Sequence, residues 1–263
     1  MTTAEPIELD LDAPTREALA GLLLTLADDE FVIGFWDSEW TGIAPMLEED
    51  VATSSIAQDE IGHAKALYEL LAELTGDDAD RIAYGRDAAA FRHAPLLDHA
   101  RGDWAFTVAR RYLYETADAV RLEALARSAF APLAGLALKM RREESYHLMH
   151  WDVWLRRLAE AGDEAHTKLT DALTRLWPQA QAIFAPLEGE ERLVSTGILP
   201  EPMERLRHAW LARVRGPLEA AGASIEPDPP APSQDARTRH DPAFEWLHRE
   251  LTLVACSEEG ALW

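Results

Sequence analysis

One short pattern, written twice, constrains this chain more than any other feature. Asp59-Glu60-Ile61-Gly62-His63 sets two acids ahead of a histidine, and Glu143-Glu144-Ser145-Tyr146-His147 repeats the arrangement. Residues three apart share a helix face, so Glu60 with His63, and Glu144 with His147, can each grip one metal ion. A partner acid for each pair follows from position. In an antiparallel helix pair, residues equally far from the turn lie at the same height. Glu30 and Glu60 are centred on Pro45, within Thr41-Gly42-Ile43-Ala44-Pro45. Glu115 and Glu144 are centred on Ala129/Phe130, just before Pro132. Both centres are helix-breaking segments. About 15 residues of helix rise about 22 Å, so both hairpins set their acids at a similar depth.

The order is Glu, turn, Glu-x-x-His, long crossover, Glu, turn, Glu-x-x-His. It describes an all-α, ferritin-like four-helix bundle around a two-metal centre. Glu30, Glu60 and His63 are expected to serve one ion, and Glu115, Glu144 and His147 the other. Glu60 and Glu144 are the expected bridging acids. Carboxylate and imidazole donors suit iron, with manganese as the alternative. Asp59 and Glu143 lie four residues before the histidines, close to the same face. Their expected role is to accept the free ring N–H of a metal-bound histidine, with the histidine of the opposite helix one choice. A third Glu-x-x-His, Glu245 with His248, follows a proline-rich stretch and has no matching hairpin acid. With 9 histidines in the chain, about one such pair arises by chance, and this one is read as the accident. Most aromatics on these helices should be core. One tyrosine near the metals is conceivable, but the sequence does not choose among Tyr112, Tyr114 and Tyr146. Gly34 and Gly62 leave room beside the metals or serve helix packing.

Helical periodicity dominates, and long β-branched alternation is absent. Residues 1–13 read as an arm. The expected bundle helices run from 14 to about 40, 46 to 74, 103 to 129 and 132 to 161, with an irregular crossover at 77–101. Asp103 is a fair N-cap. The core bundle is expected over about 14–162 and a helical extension over 163–225. That extension holds one helix from 164 to about 184, interrupted at Trp177-Pro178, and another from 200 to 221. A linker and docking tail fill 226–263. Asp241-Pro242 opens a last short helix to about Cys256, and Trp263 is read as either docking or fraying.

Charge limits the partners. The chain of 263 residues carries 25 Lys+Arg against 47 Asp+Glu, a net charge of −22. That argues against nucleic acid and anionic membrane. A single cysteine, Cys256, excludes an internal disulfide framework and a Cys₄ iron–sulfur or zinc-ribbon site. The acidic start lacks the features of a signal peptide, and no apolar run is long enough to span a bilayer. The expected location is the cytoplasm.

Further segments carry a resemblance. Leu26-Ala27-Asp28-Asp29, Glu39-Trp40-Thr41-Gly42-Ile43-Ala44-Pro45 and Ile61-Gly62-His63-Ala64 come first. Thr107-Val108-Ala109-Arg110-Arg111-Tyr112, Tyr146-His147-Leu148, Trp154-Leu155-Arg156-Arg157-Leu158 and Leu176-Trp177 follow, with His240 and Trp263 in the tail. In this order and spacing, the chain resembles the C subunits of bacterial phenylacetyl-CoA epoxidases. The resemblance implies a ferritin-like subunit of a multicomponent monooxygenase that adds one oxygen atom from O₂ across the aromatic ring during aerobic phenylacetate breakdown. It implies that the di-iron centre resides in a homologous A subunit, which also binds the CoA thioester. The C subunit would pair with it as a structural partner with degraded metal ligands, while a flavin- and iron–sulfur-containing reductase supplies electrons. This sequence departs from that picture by retaining Glu30, Glu60, His63, Glu115, Glu144 and His147. The leading expectation is therefore an oxygenase subunit supporting a catalytic partner and keeping its own di-metal site. It would also form a homodimer when alone. The rival is a di-iron oxygenase or oxidase catalytic in its own right, and an iron carrier is weakest.

Overall fold

A computed structural model describes residues 11–258, and these form an all-α protein without strands among the described residues. Four long helices make the bundle: α1 (Ala13–Ser38), α2 (Leu47–Thr75), α4 (Trp104–Leu125) and α5 (Ala131–Ala159). Each starts or stops where local chemistry dictates. Asp12 accepts from the Thr15 N–H at 2.9 Å, and Pro14 fills the first turn of α1. Asp103 caps α4 through the Phe106 N–H at 2.9 Å. Gly76 ends α2 in the left-handed conformation, φ 74°, and returns its N–H to the Ala72 carbonyl.

The two hairpins pair α1 with α2 and α4 with α5, and α2 meets α5 across a seam. The crossover holds a short helix, α3 (Ala79–Tyr84), and two 3₁₀ turns, Ala88–Ala90 and Pro95–Leu97. Beyond the bundle come α6 (Asp163–Ala180), α7 (Glu190–Ser195), α8 (Met203–Ala220) and α9 (Pro242–Thr252). α6 and α8 cover α4, and α7 and α9 lie against α1. Thus α1 and α4 are buried nearly all round, while α2 and α5 keep an outer face.

Three details differ from the sequence reading. α6 is not interrupted at Trp177-Pro178: it runs through Pro178 to Ala180 and tightens into the 3₁₀ turn Gln181–Phe184. A proline near the end of a helix removes one backbone bond that the terminal turn can forgo. α7 is an addition to that reading, and its six residues are too few for a periodic signal. α9 stops at Thr252 rather than near Cys256. Trp263 lies outside the described residues.

The segment after the prolines is fastened to the bundle. Arg237, in the 3₁₀ turn Gln234–Arg237, is buried and bonds both oxygens of Asp29, at 2.9 and 3.1 Å. It also donates to the carbonyls of Arg92, Ala182 and Ile183. The adjacent Asp28 accepts from Tyr68, Arg86 and the Arg92 N–H. His240 stacks on His93, with centroids 4.3 Å apart, and both rings bond Asp98. His248 donates to the Arg86 carbonyl at 2.8 Å, so the Glu245–His248 pair serves tail docking through its histidine.

Candidate metal centre

Helical periodicity carries all six candidate ligands to one point in the bundle. Glu30 comes from α1, Glu60 and His63 from α2, Glu115 from α4, Glu144 and His147 from α5, and all are buried. Glu30, Glu60, His63 and Glu144 offer ligand atoms within 4.8 Å of one another, as do Glu60, Glu115, Glu144 and His147. Glu60 and Glu144 are common to both groups. Gly34 explains how α1 comes so close to α2: a Cβ there would meet Ile61 Cγ1 at 2.9 Å, Glu60 Cβ at 3.0 Å and the Ala57 carbonyl at 3.1 Å. Gly62 has nothing within 4 Å of that position, so it leaves no space that the interior uses.

The imidazoles are held crosswise. His63 Nδ1 faces inward, 3.3 Å from Glu30 and 3.2 Å from Glu144, while its Nε2 lies 2.7 Å from Glu143 on the opposite helix. His147 Nδ1 lies 3.4 Å from Glu60 and 3.3 Å from Glu144, and its Nε2 is 3.3 Å from Asp59, again across the seam. Asp59 and Glu143 are partly exposed, so they form the outer wall of the centre. A carboxylate on the outer nitrogen fixes which nitrogen is left to face a cation.

Tyr114 is the tyrosine at the centre: its buried hydroxyl donates to Glu30 Oε1 at 2.6 Å. Sequence reasoning did not see Arg111, which is fully buried one turn before Glu115. Its Nη2 donates to Glu60 Oε1 at 2.5 Å and touches Glu115, and its Nε lies 3.3 Å from Asp37. The guanidinium carbon sits 5.6 Å from the Trp151 ring centroid. The spacing of four before Glu115, on a face already assigned to the metals, was the signal that would have found it.

Protons balance the charges when the protein stands alone. Burial opposes a charged His63, but hydrogen bonds with Glu144 and Glu30 and the nearby acids override it and push its pKa up to about 12. Burial likewise opposes a charged His147, and Glu144 and Glu60 override it, raising its pKa to about 10. Burial and the neighbouring Glu144 would raise Glu60, yet Arg111 and hydrogen bonds bring it down to about 2. Burial holds Glu30 and Glu115 well above the usual carboxylate range, Glu115 despite Arg111. Glu60 Oε2, both Glu115 oxygens, both Glu144 oxygens and His147 Nδ1 have no well-aligned hydrogen-bond partner. Buried oxygens and a ring nitrogen left in this way fit a carboxylate- and imidazole-binding cation. In the group around His63, Arg111 engages Glu60 alone. In the group around His147, Arg111 already engages two of the four residues.

Surface clefts lie elsewhere. One of about 620 Å³ is lined by Trp104, Leu158 and Lys168, and one of about 770 Å³ by Pro14, Arg92, Arg192 and Arg237. No described helix is long and apolar enough to cross a membrane.

Comparison with known proteins agrees with this architecture. The family described as phenylacetic acid catabolic protein matches residues 1–263. The chain is 32% identical to the C subunit of the 1,2-phenylacetyl-CoA epoxidase of Escherichia coli (strain K12) over 208 residues, covering 79% of this chain and 84% of that one. It is 25% identical to the A subunit of the same enzyme over 232 residues, covering 87% of this chain and 74% of that one.

Proposed function

This chain belongs to the phenylacetic acid catabolic protein family, and from that premise we propose that it is a C-type subunit of a phenylacetyl-CoA oxygenase. It supports a homologous catalytic A subunit, works in the cytoplasm with the other oxygenase subunits and a reductase, and binds metal at its own buried centre. Iron is the proposed ion and manganese the alternative.

The observation that carries this reading is similarity to the C and A subunits of one enzyme at once. A chain and a partner built on one bundle can pair through equivalent faces. The outer faces of α2 and α5 offer such a surface. Leu47 and Val51 on α2, and Leu138, Tyr146, Met149 and Val153 on α5, are all exposed at 41% or more. Tyr146, Met149 and Val153 follow one another at spacings of three and four, a single helical stripe. A stable heterodimer on this face should bury at least about 2,000 Å². The same stripe would support a homodimer when the A subunit is missing.

The test separates support from catalysis. A complex carrying Glu60→Ala with Glu144→Ala should keep its epoxidation rate within a few-fold, provided the variant folds and co-elutes with the A subunit. Near-total loss in an assembled complex would establish the second reading, a protein with chemistry of its own. That reading is favoured by one observation, the intact set of four carboxylates and two histidines.

A further inference from the structure

The two halves of the centre carry the same residue types but do not have the same surroundings. Four residues before Glu30 on α1 stands Leu26, buried and apolar. Four residues before Glu115 on α4 stands Arg111, also fully buried. On a helix this spacing places the earlier side chain one turn along the same face. Leu26 brings no charge to the half built by Glu30 and His63. Arg111 brings a permanent cation to the half built by Glu115 and His147.

That cation is held on a cradle of its own. Asp37, seven residues after Glu30 and therefore two turns along α1, is fully buried and has no aligned hydrogen-bond donor. Its charge is met by Arg111 Nε at 3.3 Å. Trp151 closes one side of the guanidinium at 5.6 Å. With no exposed surface, and with Asp37, Glu60 and Glu115 around it, the arginine has no solvent route that avoids abandoning a buried carboxylate. Its Nη2 lies on Glu60 Oε1, the same oxygen that faces His147 Nδ1 at 3.4 Å. It also touches Glu115. An ion placed there would have to share both acids with a like charge. Glu30 makes no such contact: Tyr114 holds one of its oxygens and leaves the other facing His63.

We infer that the centre takes a single divalent transition-metal ion, between Glu30, Glu60, Glu144 and His63, and that the Arg111 guanidinium serves in place of a second ion on Glu60 and Glu115. The two-ion centre expected from the sequence becomes a one-ion centre with a resident organic cation. This inference concerns the chain itself and stands whether or not the proposed place in an oxygenase complex is correct.

The experiment is metal counting on the full chain, loaded anaerobically with Mn(II) or Fe(II) and freed of excess ion. The wild type should hold one ion per chain, with the electron paramagnetic resonance spectrum of isolated Mn(II) rather than of a coupled pair. His63→Ala should weaken Mn(II) binding by at least about a hundredfold, beyond what loss of an outer-layer partner costs. His147→Ala should change it less than about threefold. Arg111→Met, which keeps the bulk and removes the charge, should admit a second ion. Two coupled ions in the wild type, no ion at millimolar Mn(II), equal losses from the two histidine variants, or a single ion in Arg111→Met would each overturn the inference. If Arg111→Met does not fold, the ion count and the histidine pair decide alone.

Discussion

Replacing Arg237 by Ala should cost this protein far more than an arginine on a proline-rich tail would ordinarily be worth. The residue is only 5% exposed. It makes two bonds to Asp29 and three to backbone carbonyls, all between 2.8 and 3.1 Å. Breaking one partner of a buried charge pair typically costs about 3–5 kcal/mol, because the other charge is left without compensation. Asp29 keeps Arg121 at 2.6 Å and the Ala94 N–H at 2.8 Å, which points to the lower end, about 3 kcal/mol. For a chain of this size that corresponds to a fall in Tm of about 6–12 °C. Circular dichroism melting would measure it. Arg239→Ala is the control, since that side chain is 85% exposed and pairs with Asp235 on its own short segment; its Tm should move by less than about 1 °C. The tail should also become sensitive to protease within 226–233 in Arg237→Ala and not in the control. A fall of less than about 2 °C would refute the claim that the Arg237–Asp29 pair is a principal fastening of the tail to the bundle.

Further outcomes concern packing, pH and metal loading. Gly34→Ala should destabilise by about 1–3 kcal/mol, because its Cβ would press on the Ala57 carbonyl and on Glu60 at the tightest point of the α1–α2 contact. Gly62→Ala meets nothing and should stabilise by about 0.5–1 kcal/mol through helix propensity; chemical denaturation checks both, and equal effects would refute the packing argument. In chelator, stability should fall as pH rises from 6 to 9. The raised pKa values of His63 and His147 give stabilisation that is full below about 6.5 and lost as pH climbs toward their folded values of about 12 and 10. The raised Glu30 and Glu115 act in the same direction, since the fold disfavours their ionised forms. Glu60, lowered to about 2, matters only at the acid end, below its ordinary 4.5. A Tm that rises between pH 6 and 9 without metal would contradict this balance. Calorimetric titration with Mn(II) at pH 7 should show proton release, since the ion displaces protons from both acids and imidazoles.

The sequence by itself determined the parts of this protein that depend on one helix or one hairpin. The i, i+3 spacing puts Glu60 with His63 and Glu144 with His147, and equal distance from a turn pairs them with Glu30 and Glu115. Asp59 and Glu143 follow from the same periodicity, one turn before each histidine. Caps such as Asp103 and the Pro14 start are legible because they act within four residues. What only the tertiary structure decided depends on contacts between segments that no local rule relates. Arg237 reaches an acid 208 positions away. Tyr114, rather than Tyr112 or Tyr146, meets Glu30 because α4 turns that face toward α1. The meaning of Gly34 rests on how closely α2 approaches, and that of Gly62 on its facing open space. Arg111 stood in plain view one turn before Glu115, yet its helix position alone does not say whether a long, flexible side chain points to water or into the bundle. Burial of α4 beneath α6 and α8 removes the route to water, so the guanidinium turns inward to the charges within its reach, Asp37, Glu60 and Glu115.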